Sequence, residues 1–272
     1  MKRLLTAAVA LPLALAAIFL LDTPWFFLVC ALTLGWAAHE FVTIARVWAP
    51  KAPLSVLPLS AIGMGALLGL PNVPERWLGL AAPVIAGVLA IGFGALVLLS
   101  RTPITQAPAA MGALAYGTPY FGLPIASLCQ IHHRDPWLVG LLVAIVWLGD
   151  TAAFYVGSAW GRHRLAPVVS PKKTWEGAAA GLVVSVLAVA LWSAYHLGRQ
   201  EPVVLALGAV TAVAAQIGDL VESIFKRASG LKDSGRILPG HGGALDRADA
   251  LLFAAPVFWL GWLAIETSAL LP

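Results

Sequence analysis

The sequence predicts an all-α integral membrane protein, a polytopic bundle of about nine transmembrane helices that forms a single membrane domain over residues 1–272. Hydrophobic residues make up 60% of the chain and charged residues only 11%, whereas a soluble domain carries about 25% charged residues. About nine stretches also approach or reach the roughly 20 apolar residues that an α-helix needs to cross a bilayer. These two observations place most side chains in lipid or between helices.

The predicted spans follow one another with Pro, Gly and charged residues between them. An N-terminal group of helices, over about 1–130, has its spans near 4–21, 24–43, 54–71, 78–99 and 108–130. A C-terminal group with catalytic loops, over about 137–270, has its spans near 137–160, 177–197, 203–222 and 250–270. Gly and Pro shorten or interrupt the third and fifth spans.

The basic residues predict the orientation of the helices, because cytoplasmic loops are enriched in Lys and Arg. With the N-terminus in the cytoplasm, only Arg76, Arg134 and Arg199 of the 17 basic residues fall outside. The loops at 161–176 and 223–249 then face soluble nucleotides. We expect a multi-pass protein of a bacterial-type inner (cytoplasmic) membrane with an uncleaved first helix. Loop charges of this kind account for the net charge of +4, so we expect no binding of nucleic acid.

Asp150 is the only charged residue between Trp137 and Gly161. A carboxylate in the middle of a transmembrane helix costs roughly 2.5–3.5 kcal/mol on insertion scales. We therefore expect Asp150 to face a polar cavity or a cation. The alternative is a structural partner for a buried Lys or Arg.

A basic string joins the sixth and seventh spans and reads Ser170-Pro171-Lys172-Lys173-Thr174-Trp175-Glu176-Gly177. Pro fits the first position of a helix, so Pro171 is predicted to start the seventh helix, with both lysines near its N-terminus. Ammonium groups and free backbone N–H groups there suit a polyphosphate. Contact with anionic lipid explains the lysines equally well.

The eighth span ends in a polar string that reads Asp219-Leu220-Val221-Glu222-Ser223-Ile224-Phe225-Lys226-Arg227. At about 100° per residue, Asp219, Glu222, Ser223 and Lys226 fall on one face of a helix. Two acids, a hydroxyl and a base at a membrane surface suit a metal ion and a phosphate. A self-neutralising helix end is the alternative.

A loop rich in glycine and charge precedes the last span and reads Lys232-Asp233-Ser234-Gly235-Arg236-Ile237-Leu238-Pro239-Gly240-His241-Gly242-Gly243-Ala244-Leu245-Asp246-Arg247-Ala248-Asp249. Its glycines allow the backbone to approach a ligand closely. Asp246 and Asp249 are three residues apart and share one side of a helix. Carboxylates together with phosphates are the usual environment of Mg²⁺.

The last two strings together resemble the signature of the phosphatidate cytidylyltransferase (CDP-diacylglycerol synthase) family. The matching residues are Ser223, Lys226-Arg227, Lys232-Asp233, Pro239-Gly240-His241-Gly242-Gly243, Asp246-Arg247 and Asp249. The string from Ser170 is also similar to one of the family, and Glu40 is a candidate match to a family acid. The resemblance implies transfer of CMP from CTP to phosphatidic acid, giving CDP-diacylglycerol and pyrophosphate in phospholipid biosynthesis. It further implies dependence on Mg²⁺, with a K⁺ ion beside it, and a homodimer.

This reaction needs no protein nucleophile, because phosphatidic acid carries its own phosphate monoester. Its obstacle is the repulsion between two anionic substrates, which metal ions and lysines must screen. We expect Asp219 and Asp246 to be the principal metal ligands, Asp249 and Asp150 to support them, and Lys226 to join them in catalysis. The residues expected to bind the substrates are Lys172, Lys173, Ser223, Arg227, Lys232, Asp233, His241 and Arg247.

Two other functions stay open from the sequence alone. A CTP-dependent polyprenol or dolichol kinase would share the motif logic but would release CDP instead of pyrophosphate. A transporter would place Asp150 in its pathway, with broken helices near the membrane midplane. The charges of this chain cluster at helix ends on the predicted cytoplasmic side, which favours an enzyme.

Overall fold

The computed structural model describes residues 2–70, 75–235 and 242–268. Nine α-helices cover most of this described part: α1 (Lys2–Leu20), α2 (Thr23–Ala45), α3 (Leu57–Gly69), α4 (Glu75–Leu99), α5 (Ala107–Arg134), α6 (Pro136–Trp160), α7 (Trp175–His196), α8 (Pro202–Ala228) and α9 (Leu245–Thr267). A 3-10 turn at Leu54–Val56 precedes α3, and two short strands, β1 (Arg164–Ala166) and β2 (Ser170–Thr174), form an antiparallel hairpin before α7.

The predicted all-α membrane class is confirmed. Five helices of the described part, α2, α6, α7, α8 and α9, are long and apolar enough to cross a membrane by length and composition. Shorter apolar stretches lie at Val9–Leu20, Leu54–Gly69 and Gly87–Leu99. The helix α5 continues for 28 residues through Pro119 and Pro124.

One local prediction was wrong, because Pro171 starts no helix. Ser170–Thr174 is an extended strand, β2, in which Thr174 lies opposite Arg164 of β1. The helix α7 begins at Trp175 because Thr174 caps it, with extended backbone angles and an Oγ1 atom that accepts a hydrogen bond from the Gly177 N–H at 3.1 Å. Thr is a favourable residue at this position. The two lysines therefore project from a strand and not from the first turn of the helix.

The chain divides into two compact units. The first comprises Met1–His133 and Ala228–Ala248, and the second comprises Arg134–Arg227 and Asp249–Pro272. In the first unit α2 packs on α3, with Phe41, Leu57 and Phe121 fully buried. In the second unit α6 packs along α7. The predicted single membrane domain stays a prediction.

Glycines bring the helices of the second unit into close contact. A Cβ atom added to Gly149 of α6 would lie 2.5 Å from a hydroxyl of α7, and one added to Gly218 of α8 would lie 2.7 Å from the backbone oxygen of Asp249 in α9. Small residues allow membrane helices to approach this closely. Each glycine directly precedes an acid, so these helix contacts determine the positions of Asp150 and Asp219.

Candidate active site

Three of the predicted acids belong to the second unit. They are Asp150 on α6, Asp219 on α8 and Asp249 on α9. Asp249 interacts electrostatically with both other acids and with Lys226. Neighbouring carboxylates repel one another when ionised, so a cluster of this kind is stabilised by cations.

Lys173 supplies one cation to this cluster. Its Nζ atom lies 2.5 Å from Oδ2 of Asp219, and each of the two side chains is 27% exposed. The hairpin determines this contact, because Lys173 stands on β2, one residue before the cap of α7. Since the ion pair is open to solvent, a phosphate can compete for the lysine and a cation can compete for the carboxylate.

A second ion pair lies along α8. Nζ of Lys226 is 2.5 Å from Oε2 of Glu222, one helical turn away, and the Glu222 side chain is only 1% exposed. Ser223 is buried beside them, and Asp219 is half-buried. Glu222 lies on the predicted polar face, but it is not among the predicted site residues because the family signature begins at Ser223.

The remaining basic residues of the second unit lie near the hairpin. Nε of Arg227 donates a hydrogen bond to the backbone oxygen of Val169, between β1 and β2, at 3.3 Å. Lys172 is exposed on β2. Glu176 accepts hydrogen bonds from the backbone N–H groups of Arg162 and His163, at 3.1 and 3.2 Å, and so fastens the start of the hairpin to α7. The hairpin thus presents positive charge beside the end of α8.

Asp246 belongs to the first unit and lies in the first turn of α9. Its carboxylate accepts hydrogen bonds from the backbone N–H groups of Gly243 at 2.8 Å and Ser234 at 3.1 Å. Gly242 has a φ angle of +83°, and a Cβ atom there would lie 2.5 Å from Oδ2 of Asp246. This position requires glycine because of both its backbone angle and the space it leaves for the carboxylate.

Glu40 of α2 is a candidate site residue that the sequence indicated only through the family resemblance. Its side chain is buried, at 6% exposure. Its carboxylate accepts hydrogen bonds from Ser234 Oγ at 2.8 Å, the Ala244 N–H at 3.1 Å and the Leu245 N–H at 2.9 Å. Nothing local in α2 identifies these partners, which lie about 200 residues further along the chain.

The other predicted site residues are less constrained. Lys232, Asp233 and Arg247 are exposed, and His241 lies outside the described residues. Their predicted roles in substrate binding stay predictions.

The carboxylates fit a magnesium ion by their chemistry. Among the described residues, no three His, Cys, Asp or Glu side chains are placed to hold a metal ion by themselves. Mg²⁺ usually takes only one or two carboxylates, together with waters and substrate phosphates. Asp219 and its neighbour Asp249 offer such hard oxygen ligands within the second unit.

Acids and lysines at a basic hairpin of a multi-pass helical membrane protein suit the binding of phosphates and a metal ion. A model of the cytidylyltransferase family matches residues 1–264. A phosphatidate cytidylyltransferase of Pseudomonas aeruginosa is 36% identical over 269 residues, which cover 94% of each chain. The chain therefore belongs to the cytidylyltransferase family.

Two further phosphatidate cytidylyltransferases are similar to this chain. The protein of Haemophilus influenzae is 31% identical over 288 aligned positions, which cover 94% of this chain and 96% of the relative. The protein of Brucella suis is 42% identical over 182 residues, which cover 64% of this chain and 65% of the relative. The predicted family is confirmed, and with it the class of enzyme, a nucleotidyltransferase.

Proposed function

We propose that this chain transfers CMP from CTP to phosphatidic acid and so forms CDP-diacylglycerol and pyrophosphate at the membrane. One structural observation carries the proposal: the Lys173–Asp219 ion pair stands among three carboxylates of a membrane-embedded unit. Acids and lysines together suit a reaction between two phosphates and a metal ion. The three related proteins support the choice of substrates, since each is a phosphatidate cytidylyltransferase.

The reaction joins two anions. A phosphate oxygen of phosphatidic acid attacks the α-phosphorus of CTP, a new P–O bond forms, and the bond to the β-phosphate oxygen breaks as pyrophosphate leaves. Lys172, Lys173 and Arg227 reduce the repulsion by holding phosphate oxygens near the hairpin. A phosphate that draws Lys173 away also frees the carboxylate of Asp219 for a cation.

Mg²⁺ is the proposed cofactor, and when bound it neutralises phosphate charge and stabilises the departing pyrophosphate. Asp219 and Asp249 in the second unit, with support from Asp150, and Asp246 in the first unit are the proposed ligands. A K⁺ ion and a homodimer complete the proposal and rest on the family resemblance alone.

The proposed orientation places the N-terminus and the loops at 161–176 and 223–249 in the cytoplasm. The basic residues of these loops support it through the enrichment of Lys and Arg on that side. CTP would then reach the hairpin from solution, while phosphatidic acid would reach it from the bilayer.

The proposal is tested by following pyrophosphate and CDP release from CTP by the purified chain in detergent with Mg²⁺, with and without phosphatidic acid. We expect lipid-dependent pyrophosphate release, lowered at least about 100-fold in Asp219→Asn, as when a group that stabilises transition-state charge is removed. Asp22→Asn is a matched control, because the Asp22 side chain makes no capping hydrogen bond to α2. Release of CDP with phosphorylation of a lipid alcohol would identify a lipid kinase instead.

A further inference from the structure

The buried carboxylate of Glu40 accepts hydrogen bonds of 2.8–3.1 Å from Ser234 and from the backbone at the start of α9. An ionised carboxylate in a protein interior is costly unless hydrogen bonds replace its hydration. Three donors do so here: one hydroxyl and two backbone N–H groups. A charge held in this way stabilises the groups that surround it, because each of them loses a strong partner when the carboxylate is removed.

Two glycines shape the space that Glu40 occupies. A Cβ atom added to Gly235 or to Gly243 would lie only 2.2 Å from an oxygen of the Glu40 carboxylate. Both backbone segments therefore approach the carboxylate more closely than any other residue type would permit. The space that the two glycines leave therefore matches the carboxylate that Glu40 places there.

Glu40 also supplies a cap that α9 cannot supply for itself. A helix usually begins after a Ser, Thr, Asp or Asn whose side chain accepts a hydrogen bond from the first turn, but Ala244 precedes the first residue of α9. Glu40 accepts from the N–H groups of Ala244 and Leu245 instead. The positive end of the helix dipole adds to this attraction.

Ser234 connects this carboxylate to Asp246. Its Oγ atom donates to Glu40 at 2.8 Å, and its backbone N–H donates to Asp246 at 3.1 Å. We propose that Glu40 is a positioning residue, which fixes Ser234 and the start of α9 and thereby orients the Asp246 carboxylate for its metal ion. This inference rests on the proposed function only in giving Asp246 that task.

The experiment compares Glu40→Gln with wild type in two measurements on the full-length protein in detergent. One measurement is the Mg²⁺ concentration that gives half-maximal pyrophosphate release at saturating substrates. The other is hydrogen exchange of the peptide 242–250 without Mg²⁺ or substrates. We expect the half-saturating Mg²⁺ concentration to rise about tenfold, as is usual when a residue that orients a metal ligand is removed, and exchange in the peptide to be about tenfold faster.

Glu266→Gln is the matched control. Glu266 also holds other groups, since it forms an ion pair with Arg134 at 2.6 Å and accepts from Trp262 Nε1 at 2.8 Å, but it belongs to neither the candidate site nor the first unit. We expect it to leave the Mg²⁺ requirement and the exchange of 242–250 at wild-type values. If Glu40→Gln shifts neither measurement relative to this control, the inference is overturned. A wild-type protein that releases no pyrophosphate would overturn the proposed function instead, and the exchange comparison would still decide the role of Glu40.

Ser234→Ala keeps the inference testable if Glu40→Gln does not fold. This change removes the hydroxyl donor and retains the backbone N–H that Asp246 accepts. We expect a smaller shift in the same direction, about threefold in the Mg²⁺ requirement, since one neutral hydrogen bond is lost. Glu40→Asp keeps the charge and is expected to fall between wild type and Glu40→Gln. A Ser234→Ala protein with the wild-type Mg²⁺ requirement and exchange would overturn the inference.

Discussion

At the residue scale, the candidate site depends on one partly exposed ion pair, between Lys173 of β2 and Asp219 of α8. The two residues belong to different polar strings and lie 46 positions apart in the chain. The structure joins them in one ion pair. Such a pair depends on the bend of the hairpin and on the approach of helices at glycines, and neither is visible in the composition of either string.

Lys173→Met is expected to lower kcat/KM for CTP about 10- to 100-fold, because a hydrogen bond to a charged group contributes about 1.5–3 kcal/mol. The reason is that a phosphate of CTP would lose the ammonium group that is proposed to hold it, and that Asp219 would lose its partner in the substrate-free protein. Steady-state measurement of pyrophosphate release checks this. Lys172→Met removes the neighbouring exposed lysine and should have a smaller effect; an equal or larger loss in Lys172→Met would contradict the importance of the ion pair.

Gly242→Ala is expected to abolish most activity. The backbone has a φ angle of +83°, and the new methyl group would meet Oδ2 of Asp246. Gly198→Ala is the control, because Gly198 has a similar φ angle of +68° but open space around it. Both changes should cost about 1–3 kcal/mol in backbone strain, measured by thermal unfolding, while only Gly242→Ala should lose pyrophosphate release. Equal activity in the two variants would show that the contact with Asp246 is unimportant.

At the scale of elements, hydrophobicity predicted the helices because a backbone in lipid must satisfy its hydrogen bonds within the helix. It predicted their ends less well. The helix α8 continues to Ala228 and α9 begins at Leu245, so both extend through polar residues that the hydrophobic pattern leaves outside the spans. The hairpin was missed because strands of three and five residues are too short to show an alternating pattern.

Thr174→Val should lower the free energy of unfolding by about 1 kcal/mol through loss of the cap on α7. The change keeps the volume of the side chain and removes the acceptor for the Gly177 N–H. Thermal unfolding followed by tryptophan fluorescence measures the effect. Thr151→Val is the comparison, because the Thr151 hydroxyl donates to the carbonyl of Trp147, one turn earlier, and caps no helix. If Thr151→Val lowers Tm as much as Thr174→Val does, the capping role of Thr174 is contradicted.

At the scale of the whole molecule, the sequence predicted the series of helices but not which segments pack together. Ala228–Ala248 runs from the last residue of α8 into the first turn of α9, yet it forms a compact unit with Met1–His133. The contact of Glu40 with Ser234 and Leu245 is part of this arrangement. Hydrophobic patterns do not reveal a contact of this kind, because it is made by a single buried polar group.

The predicted orientation can be measured with thiol labelling, because both native cysteines, Cys30 and Cys129, are buried. Arg199→Cys should react with an impermeant reagent on spheroplasts, in which the outer membrane has been opened. Lys232→Cys should react only after the inner membrane is permeabilised. Both positions are exposed, so accessibility alone does not separate them. The reverse labelling pattern would invert the topology and place the basic hairpin outside the cytoplasm.

The long separation of Glu40 from its partners has a consequence for biosynthesis. The ribosome makes Glu40 about 200 residues before Ala244 and Leu245, which at about 5–20 residues per second is roughly 10–40 s earlier. During that interval α2 enters the membrane with a carboxylate that still lacks the donors it will hold in the finished protein. A nascent chain that stops before Ser234 therefore keeps this acid without any of the three donors that hold it in the finished protein.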